Sequence, residues 1–417
     1  MSRPQPLPPP TPGDEVAWVR SHLGHLAAET HDDLAASRSF RGGQQAADAA
    51  LAAFDVTGYA RDRNEVWPQH RRGASRLSPY IRHGLLTLPE VWDHVAHGPA
   101  RDVAKYRDEL LWQEYARHLY ARLGPRLSRP LRAEPPTGSH VRARGDEPWD
   151  RQMACVDLAV GELVEDGWMV NQTRMWLASQ WTVRHGWDWR EGEDVFFTHL
   201  LDGSRAANRL GWQWTVGTGT GRAYGFSRAQ VMRRAPGLCA GCPRRDDCPI
   251  EAWPDTPEPS PGDRPGRLRR DDDPEATGGP GTSASTSATQ QPPSVVWLTA
   301  ESLGDADPAL AAHPDLPVVF VWDEPLLARL RLSGKRLVFL AECLADLSTR
   351  REVSTYLADP VALLADAGAA VTFAPVPGFR ARAGRVRPSM VHPYPWLVRP
   401  GAGPVTSFTA WRRHLRV

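Results

Sequence analysis

Residues 201–214 decide the fold of this chain, and they read Leu-Asp-Gly-Ser-Arg-Ala-Ala-Asn-Arg-Leu-Gly-Trp-Gln-Trp. This stretch closes a segment, from Trp168 to Trp214, that holds seven of the 17 tryptophans of the chain. An ordinary core would favour Leu, Ile and Val, because a buried tryptophan also needs a partner for its polar N–H. The density of tryptophan therefore asks for an explanation beyond packing.

The sequence around this stretch, from Val16 to Pro254, has the pattern of a helical domain. Strong helix formers and apolar residues at three-to-four spacing predict helices over 45–54, 105–123, 152–163 and 171–184. Residues 1–14 are rich in Pro, and residues 254–293 are rich in Pro, Ser and charged groups. We therefore expect a disordered N-terminus over 1–14, a helical domain over 15–253 and a disordered linker over 254–293.

The hydrophobic period changes after the linker. Short apolar runs at 295–298, 316–322 and 370–373 predict buried strands, while 336–347 and 359–368 predict helices. Strands that alternate with helices indicate a small α/β domain with a parallel, Rossmann-like sheet, which we place at 294–417. The predicted fold is multidomain, with an all-α domain followed by a reduced α/β domain.

Composition excludes several classes of protein. A net charge of +1 argues against a general coat of nucleic acid but permits a local basic surface. No apolar run reaches the roughly 18 residues that span a bilayer, and the N-terminus lacks the apolar region of a signal peptide. We expect a cytoplasmic protein without a membrane partner. The sequence does not fix the oligomeric state, and a monomer is the expectation.

Three of the five cysteines, Cys239, Cys242 and Cys248, lie close together in a loop shaped by Gly and Pro. Such a loop can direct three thiolates at one centre, and Cys155 on a predicted helix is the best fourth ligand. Cys343 lies on the apolar face of a later helix, which predicts a core thiol. The set predicts a metal or cluster site, and the spacing alone leaves zinc and [4Fe–4S] open.

Five separated blocks, in this order and spacing, resemble the FAD-binding domain of the photolyase and cryptochrome family. They lie at 73–84, 108–115, 167–175, 188–193 and 201–214, and the resemblance covers roughly residues 14–230. Residues 295–323 and 405–413 are similar to the start and end of the family's α/β antenna domain, which in that family comes before the FAD domain. The resemblance therefore implies a circularly permuted order. Residues 299–305 replace an arginine-rich segment of the family, so an antenna chromophore is in doubt.

The resemblance implies a U-shaped FAD in a helical bowl. Arg174 and Asp202 would form an ion pair against the isoalloxazine ring, and Asn208 would face its N5 atom. The other residues implied to bind FAD are Tyr59, Ala74, Ser75, Arg76, Leu77, Ser78, Tyr106, Gln113 and Ser204. One branch of the family holds a [4Fe–4S] cluster on four cysteines placed as Cys155, Cys239, Cys242 and Cys248 are, which favours that cluster over zinc.

For activity, the resemblance implies electron transfer from light-excited reduced FAD to a cyclobutane pyrimidine dimer in UV-damaged DNA. The dimer would be flipped out of the duplex to reach the flavin. Glu109 would hydrogen-bond the flipped bases, Trp112 and Trp214 would wall them, and Asn171 would lie between flavin and lesion. Trp212, Trp189 and Trp149 would carry electrons to the oxidised flavin, whereas Trp168, Trp176, Trp181 and Trp187 would be packing residues.

Three functions stay open at this point. A deoxyribodipyrimidine photo-lyase is favoured by Glu109, Trp112, Trp214 and Asn208. A cryptochrome-like blue-light receptor without repair activity is favoured by the reduced antenna domain, the permutation and two departures, Gln113 and Val170, where many family members have Arg and His. The missing His also argues against repair of the (6-4) photoproduct. The third possibility is a FAD-binding protein with a purely structural cluster.

Overall fold

A computed structural model describes residues 4–29, 33–135, 147–254, 259–285 and 292–415. The N-terminal part is helical, as predicted. Its helices are α1 (Glu15–Leu23), α2 (Gln44–Ala53), α3 (Tyr59–Asp62), α4 (Ser78–Arg82), α5 (Leu88–His94), α6 (Ala100–Leu123), α7 (Ala154–Gly161), α8 (Asn171–Ser179), α9 (Trp189–His199), α10 (Arg205–Val216) and α11 (Arg228–Arg234). Helices α7 and α8 each continue into a π-helical turn, at Glu162–Asp166 and Gln180–Arg184.

The ends of α10 show how local sequence positions the 201–214 stretch. The Ser204 hydroxyl caps the first turn of α10 by accepting from the backbone N–H of Ala206 at 3.2 Å. The helix ends at Gly217, whose φ of 89° is a left-handed conformation that glycine adopts without strain. Helix α10 packs against α6, α8 and α9, so the stretch lies at the centre of the helical part.

The C-terminal part is an α/β unit built on a mainly parallel sheet. Its strands are β1 (Gln5–Leu7), β4 (Ala284–Ser285), β5 (Val295–Leu298), β6 (Val318–Asp323), β7 (Val353–Ala358), β8 (Ala369–Thr372) and β9 (Met390–His392); β2 (Ala133–Glu134) and β3 (Ser260–Pro261) form a separate ribbon. The strand order is β1-β7-β6-β5-β8-β9-β4. The five inner strands are parallel, and the two edge strands, β1 and β4, are antiparallel to their neighbours. The remaining helices are α12 (Pro274–Gly278), α13 (Pro308–Ala312), α14 (Glu324–Leu330), α15 (Gly334–Ser348), α16 (Pro360–Leu364), α17 (Pro377–Val386) and α18 (Phe408–Arg412).

Ordered structure occurs in both segments that were expected to be disordered. Residues 5–7 form the edge strand β1, and the described part of 254–293 contains β3, α12 and β4. Leu268 in this part is buried, and Asp271 forms a buried ion pair with Arg122 at 3.2 Å. Composition misses such order because the partners lie far away in sequence. The structure therefore differs from the expected domain division at both places.

Helix α15 joins the α/β unit to the helical part. Glu342, Cys343 and Asp346 accept hydrogen bonds from three successive backbone N–H groups, those of residues 42, 43 and 44, at 2.7, 3.3 and 2.8 Å. A Cβ on Gly42 would lie 2.2 Å from the carbonyl oxygen of Phe339, so only glycine lets the loop approach this closely. Cys343 is a buried core thiol, as predicted.

A later segment of the chain contacts the C-terminal half of α6, the longest described helix. Glu114, His118 and Arg122 lie one turn apart on its buried face. Glu114 accepts from the backbone N–H of Val398 at 2.9 Å, and the His118 Nε2 lies 2.7 Å from the Val398 carbonyl. Arg122 donates to two further carbonyls of the segment 397–407, hereafter the strap. Among the described helices, none is long and apolar enough to cross a bilayer.

Candidate functional site

The predicted ion pair between Arg174 and Asp202 is present and bidentate. The two guanidinium nitrogens donate to the two carboxylate oxygens at 3.1 and 2.7 Å, and the Asp202 side chain is buried. Arg174 is fixed further by donating through Nε to the carbonyl of Met169 at 3.0 Å. The turn that carries Asp202 is held by Arg82 and Arg336, which both donate to the carbonyl of Gly203. The Arg174 guanidinium is therefore fixed beside the turn that precedes α10.

Asn208 lies one turn into α10, and its amide is oriented by a residue that the sequence reading did not assign. The Nδ2 of Asn208 donates to the backbone carbonyl and the Oε1 of Glu193, both at 3.2 Å. Burial raises the pKa of Glu193, and the guanidiniums of Arg205 and Arg209 oppose that rise. The sequence signal available for Glu193 was its place in the motif at 188–193. Its contact with Asn208 could not be predicted because the two residues are 15 positions apart in the sequence.

The loop 74–78, predicted to hold a diphosphate, is braced by aromatic side chains. Ser78 Oγ accepts from the indole N–H of Trp168 at 3.0 Å, and the Arg76 guanidinium lies over the rings of Phe40 and Trp168. Arg76 has a positive φ of 59°, so the loop turns sharply before α4. Trp168, which was expected to be a packing residue, therefore packs against this loop.

Tyr59 and Tyr106 lie on the same side of the helical part and pack edge to face, with ring centroids 4.7 Å apart. Burial raises the pKa of Tyr106 to about 12, and a hydrogen bond with Ser75 opposes that rise. The structure thus brings Tyr59, Tyr106 and Ser75 together, as residues of one predicted FAD-binding set should be. Ala74, Leu77 and Ser204 also lie in described segments, with Leu77 buried, and Gln113 is half-buried on α6.

The predicted lesion residues lie at the surface. Trp112 and Trp214 are each 41% exposed, which is unusual for large apolar side chains in this chain, and Asn171 is exposed at the start of α8. The Glu109 carboxylate lies 2.7 Å from Lys105 Nζ and 3.5 Å from Arg63 Nε. Trp112 stacks on Phe408 of α18, and Trp214 packs on Tyr224. Phe408 was not predicted, because nothing local links it to α6.

Three buried tryptophans, Trp212, Trp181 and Trp149, form a chain of ring contacts. Trp212 meets Trp181 edge to face at 6.2 Å between centroids, and Trp181 meets Trp149 at 5.5 Å. Trp189 is buried as well, and its ring carries the Arg190 guanidinium at 4.9 Å. Trp181, assigned to packing from the sequence, therefore bridges the two predicted electron carriers Trp212 and Trp149.

The four predicted cysteine ligands converge between α7 and the 239–248 loop. Burial raises the pKa of Cys155 to about 12, and the charges of Cys239, Cys242 and Cys248 raise it further. The Cys242 Sγ accepts from the backbone N–H of Ala154 at 3.3 Å, which ties the loop to α7. All five cysteines are free. Over the described part of the chain, no group of three His, Cys, Asp or Glu side chains is spaced to hold a single metal ion.

A comparison with protein families finds a match in the helical part. Residues 106–235 match the family model described as the FAD binding domain of DNA photolyase. Over these residues the chain is therefore similar to the FAD-binding domain of DNA photolyase.

Several curated proteins are similar to part of this chain. The chain is 33% identical over 192 residues to the deoxyribodipyrimidine photo-lyase of Vibrio cholerae, a match that covers 42% of this chain and 40% of the relative. It is 29% identical over 253 residues to that of a Synechococcus species, covering 52% and 50%, and 36% identical over 176 residues to that of Escherichia coli, covering 37% and 35%. The chain thus spans half or less of the length of these curated relatives.

Two solved structures are similar to part of this chain. A bacterial class III photolyase from Agrobacterium tumefaciens matches at 24% identity and a TM-score of 0.38, covering 49% of this chain and 41% of that one. A cryptochrome from Synechocystis matches at 23% identity and a TM-score of 0.44, covering 50% and 46%.

Proposed function

We propose that this chain is a deoxyribodipyrimidine photo-lyase, which repairs cyclobutane pyrimidine dimers in UV-damaged DNA by light-driven electron transfer. The observation that carries the proposal is the bidentate Arg174–Asp202 pair, whose Asp202 lies just before α10, the helix that carries Asn208. The curated relatives of 29% to 36% identity bear this name. The match of residues 106–235 to a FAD-binding domain supports FAD as the cofactor.

The residues present fit FAD. When bound, reduced FAD supplies the electron upon illumination. Arg174 places a fixed positive charge where the reduced ring would carry negative charge, and such a charge tunes a flavin's electronics. Asn208, held by Glu193, offers an amide that does not titrate. Loop 74–78, with Tyr59 and Tyr106 beside it, would hold the rest of the cofactor.

The two half-exposed tryptophans fit a site for flipped bases. A dimer must leave the duplex before its bonds can be reached, and apolar walls stabilise the extruded bases by stacking. Trp112 and Trp214 supply exposed ring surface, and Glu109 supplies a carboxylate held by Lys105 and Arg63. Glu109 would accept hydrogen bonds from the bases, with Asn171 nearby, so that the lesion is oriented as well as stacked.

The cysteine set fits a [4Fe–4S] cluster. Four thiols converge here, and thiolates are the ligands that soft metals prefer. A [4Fe–4S] cluster takes four Cys thiolates, which is the number of thiols that converge here. We therefore propose that Cys155, Cys239, Cys242 and Cys248 hold a [4Fe–4S] cluster.

The order of the two structural units supports a circular permutation. The matched FAD-binding segment, 106–235, comes before the parallel strands β5 to β9 in this chain. The α/β unit precedes the FAD-binding domain in the family that the chain resembles. We propose that the α/β unit is a relocated and reduced antenna domain, in which the inner strands keep their parallel order. A bound antenna chromophore is not part of this proposal.

One departure favours the alternative, a cryptochrome-like receptor without repair activity. Val170 is buried at the N-terminal end of α8, where a family histidine would offer a proton donor. A receptor would still bind FAD and respond to blue light. It would differ in failing to split dimers, so repair itself separates the two functions.

The test is a repair assay with a defined lesion. Protein with fully reduced FAD is illuminated with an oligonucleotide that contains one thymine dimer, and absorbance near the thymine band is followed. We expect recovery in the light and none in the dark. Glu109→Gln should lower the dimers repaired per photon because a charged acceptor is lost, while Asp93→Asn, at an exposed site on α5, should not. Wild-type protein that shows no light-dependent recovery would overturn the proposal in favour of the receptor.

A further inference from the structure

A pocket of about 200 Å³ lies beside α18, and arginines dominate its rim. Its lining consists of Arg132, Arg264, Pro265, Leu268, Arg269, Thr406 and Ser407. The residues 264–269 come from the segment expected to be a disordered linker, and they lie outside the matched FAD-binding segment. Most of the lining therefore comes from outside the matched segment.

The charge of the pocket is positive and uncompensated. Its lining includes three arginines and no acidic residue. Arg267 and Arg270, in the same run of sequence, are paired with Asp271 at 3.1 Å and Asp272 at 3.6 Å. Arg264 and Arg269 have no ion pair among the residues that the structure describes. Two guanidiniums are thus free at the rim, while their neighbours along the chain are neutralised.

The third arginine is half-buried and fixed in place. Arg132 donates through one NH2 group to the carbonyl of Thr406, which anchors its guanidinium at the pocket. Thr406 and Ser407 add hydroxyl groups to the lining. Planar guanidinium groups together with hydroxyls are the donor set that proteins use for phosphate oxygens.

The position of the pocket ties it to the proposed lesion site. Ser407 lines the pocket, and the next residue, Phe408, stacks on Trp112 with 3.9 Å between ring centroids. Consecutive Cα atoms are about 3.8 Å apart, so pocket and lesion wall are neighbours on the surface. A DNA strand whose bases reach Trp112 would carry its backbone past the arginines.

We propose that this pocket binds a phosphodiester group of the DNA strand that delivers the dimer. The identification of the ligand as a DNA strand rests on the proposed function. The assignment of a phosphate group rests on the arginines of the pocket. It gives the linker a role in DNA binding. Free phosphate or a mononucleotide offers the same oxygens, so the test must separate these sources.

The experiment compares the double variant Arg264→Gln/Arg269→Gln with wild type and with the control Arg270→Gln. The control removes an exposed arginine of the same run that is already paired with Asp272. The dissociation constants for dimer-containing and undamaged duplexes are measured at several NaCl concentrations. Loss of two phosphate contacts should lower the slope of log Kd against log salt by about one to two. The control should keep the wild-type slope.

Three results would overturn the pocket assignment. One is an unchanged salt slope in the double variant. Another is an equal change in Arg270→Gln. The third is tight binding of inorganic phosphate or thymidine monophosphate to wild-type protein, lost in the double variant while the DNA slope stays the same, since this would assign the pocket to a small ligand.

The outcome for the pocket is separable from that for the function. If wild type fails to repair dimers but the double variant lowers the slope on undamaged duplex, the pocket stands and the repair proposal falls. If wild type repairs dimers and the double variant keeps the wild-type salt slope, the repair proposal stands and the pocket assignment falls. Thermal unfolding of each variant verifies that the fold is retained, which is expected because Arg264 and Arg269 are exposed.

Discussion

The ring of Phe408 lies flat on the indole of Trp112, with centroids 3.9 Å and planes 11° apart. Two further contacts fix helix α18 on α6. Phe408 packs edge to face on Tyr115, and the indole N–H of Trp411 donates to His118 Nδ1 at 3.1 Å. Phe408 thus holds Trp112 on one face of its ring. The rest of the ring provides the exposed surface of Trp112.

The first prediction concerns this stack. Phe408→Leu keeps apolar volume but removes the planar support, so Trp112 should lose its fixed orientation. We expect Kd for dimer-containing DNA to rise about tenfold, or about 1.4 kcal/mol, with little change for undamaged duplex. Phe408→Tyr should retain wild-type binding. Binding isotherms with both DNAs measure this.

A matched control is Phe379→Leu, which removes the ring stacked on Trp297 in the α/β unit. It should lower stability without selective loss of dimer binding. Tighter binding of dimer DNA by Phe408→Leu would contradict the supporting role, because Phe408 would then be blocking the site.

The second prediction concerns acid stability of the contact between α6 and the strap. His118 is neutral in this geometry, since its Nε2–H donates to Val398 while its Nδ1 accepts from Trp411. Burial lowers its pKa from 6.5 to about 4, and Arg122 and Arg117 add to this. The unfolded chain therefore binds more protons between these values, and the stability that the neutral imidazole provides is lost as pH falls from 6.5 towards 4.

For one such histidine the free energy of unfolding should fall by about 1.4 kcal/mol per pH unit in this window. His118→Gln should lower the free energy of unfolding at pH 7. It should also reduce the slope of that free energy against pH by about 1.4 kcal/mol per pH unit between pH 6.5 and 4. His97→Gln, at an exposed site, should leave it as in wild type. Urea denaturation at a series of pH values measures the slopes, and parallel curves for wild type and His118→Gln would contradict the assignment.

The third prediction concerns the cysteines. Cys239→Ser should remove iron and the broad visible absorbance, because a hydroxyl replaces one thiolate ligand. Cys343→Ala should retain iron, since Cys343 lies buried on α15 and accepts from Gly43. Iron and zinc analysis with absorption spectra tests both. One zinc per chain in place of iron would refute the cluster.

The fourth prediction concerns the bridging tryptophan. Trp181→Phe should slow photoreduction of oxidised flavin, because the contacts Trp212–Trp181 and Trp181–Trp149 lose their middle indole. Trp176→Phe is the matched control, since Trp176 is equally buried but stacks on Phe226. Bleaching of the flavin band under blue light with an external reductant gives the rates. Equal rates in the two variants would leave Trp181 a packing residue.

Much of the helical part could be predicted because its signals are local. The helices that carry Trp112 and Arg174 were predicted from their apolar spacing, whereas the bounds of the helix that carries Asn208 were not. The ion pair of Arg174 and Asp202 joins two such segments, and the resemblance to known motifs identified it in advance. Whether these residues bind FAD as expected is still a prediction.

What could not be predicted depends on contacts between distant residues. Phe408 and the strap meet α6 nearly 300 residues away, and no periodicity reports such a meeting. Strands β1 and β4 are two or three residues long, so their order comes from the sheet rather than from their own sequence. Trp181 needed the fold to show that it stands between Trp212 and Trp149.

The short strand β1 has a consequence for handling the protein. It covers the outer edge of β7, where Gln5 to Leu7 pair with residues 355–357. Deleting these first residues would leave a row of backbone N–H and C=O groups open, and such edges recruit further strands from other molecules. Pro6 lacks an N–H and makes β1 itself a poor template for another strand. Removal of residues 5–7 is therefore expected to promote aggregation through the exposed edge of β7, which light scattering of the shortened variant would detect.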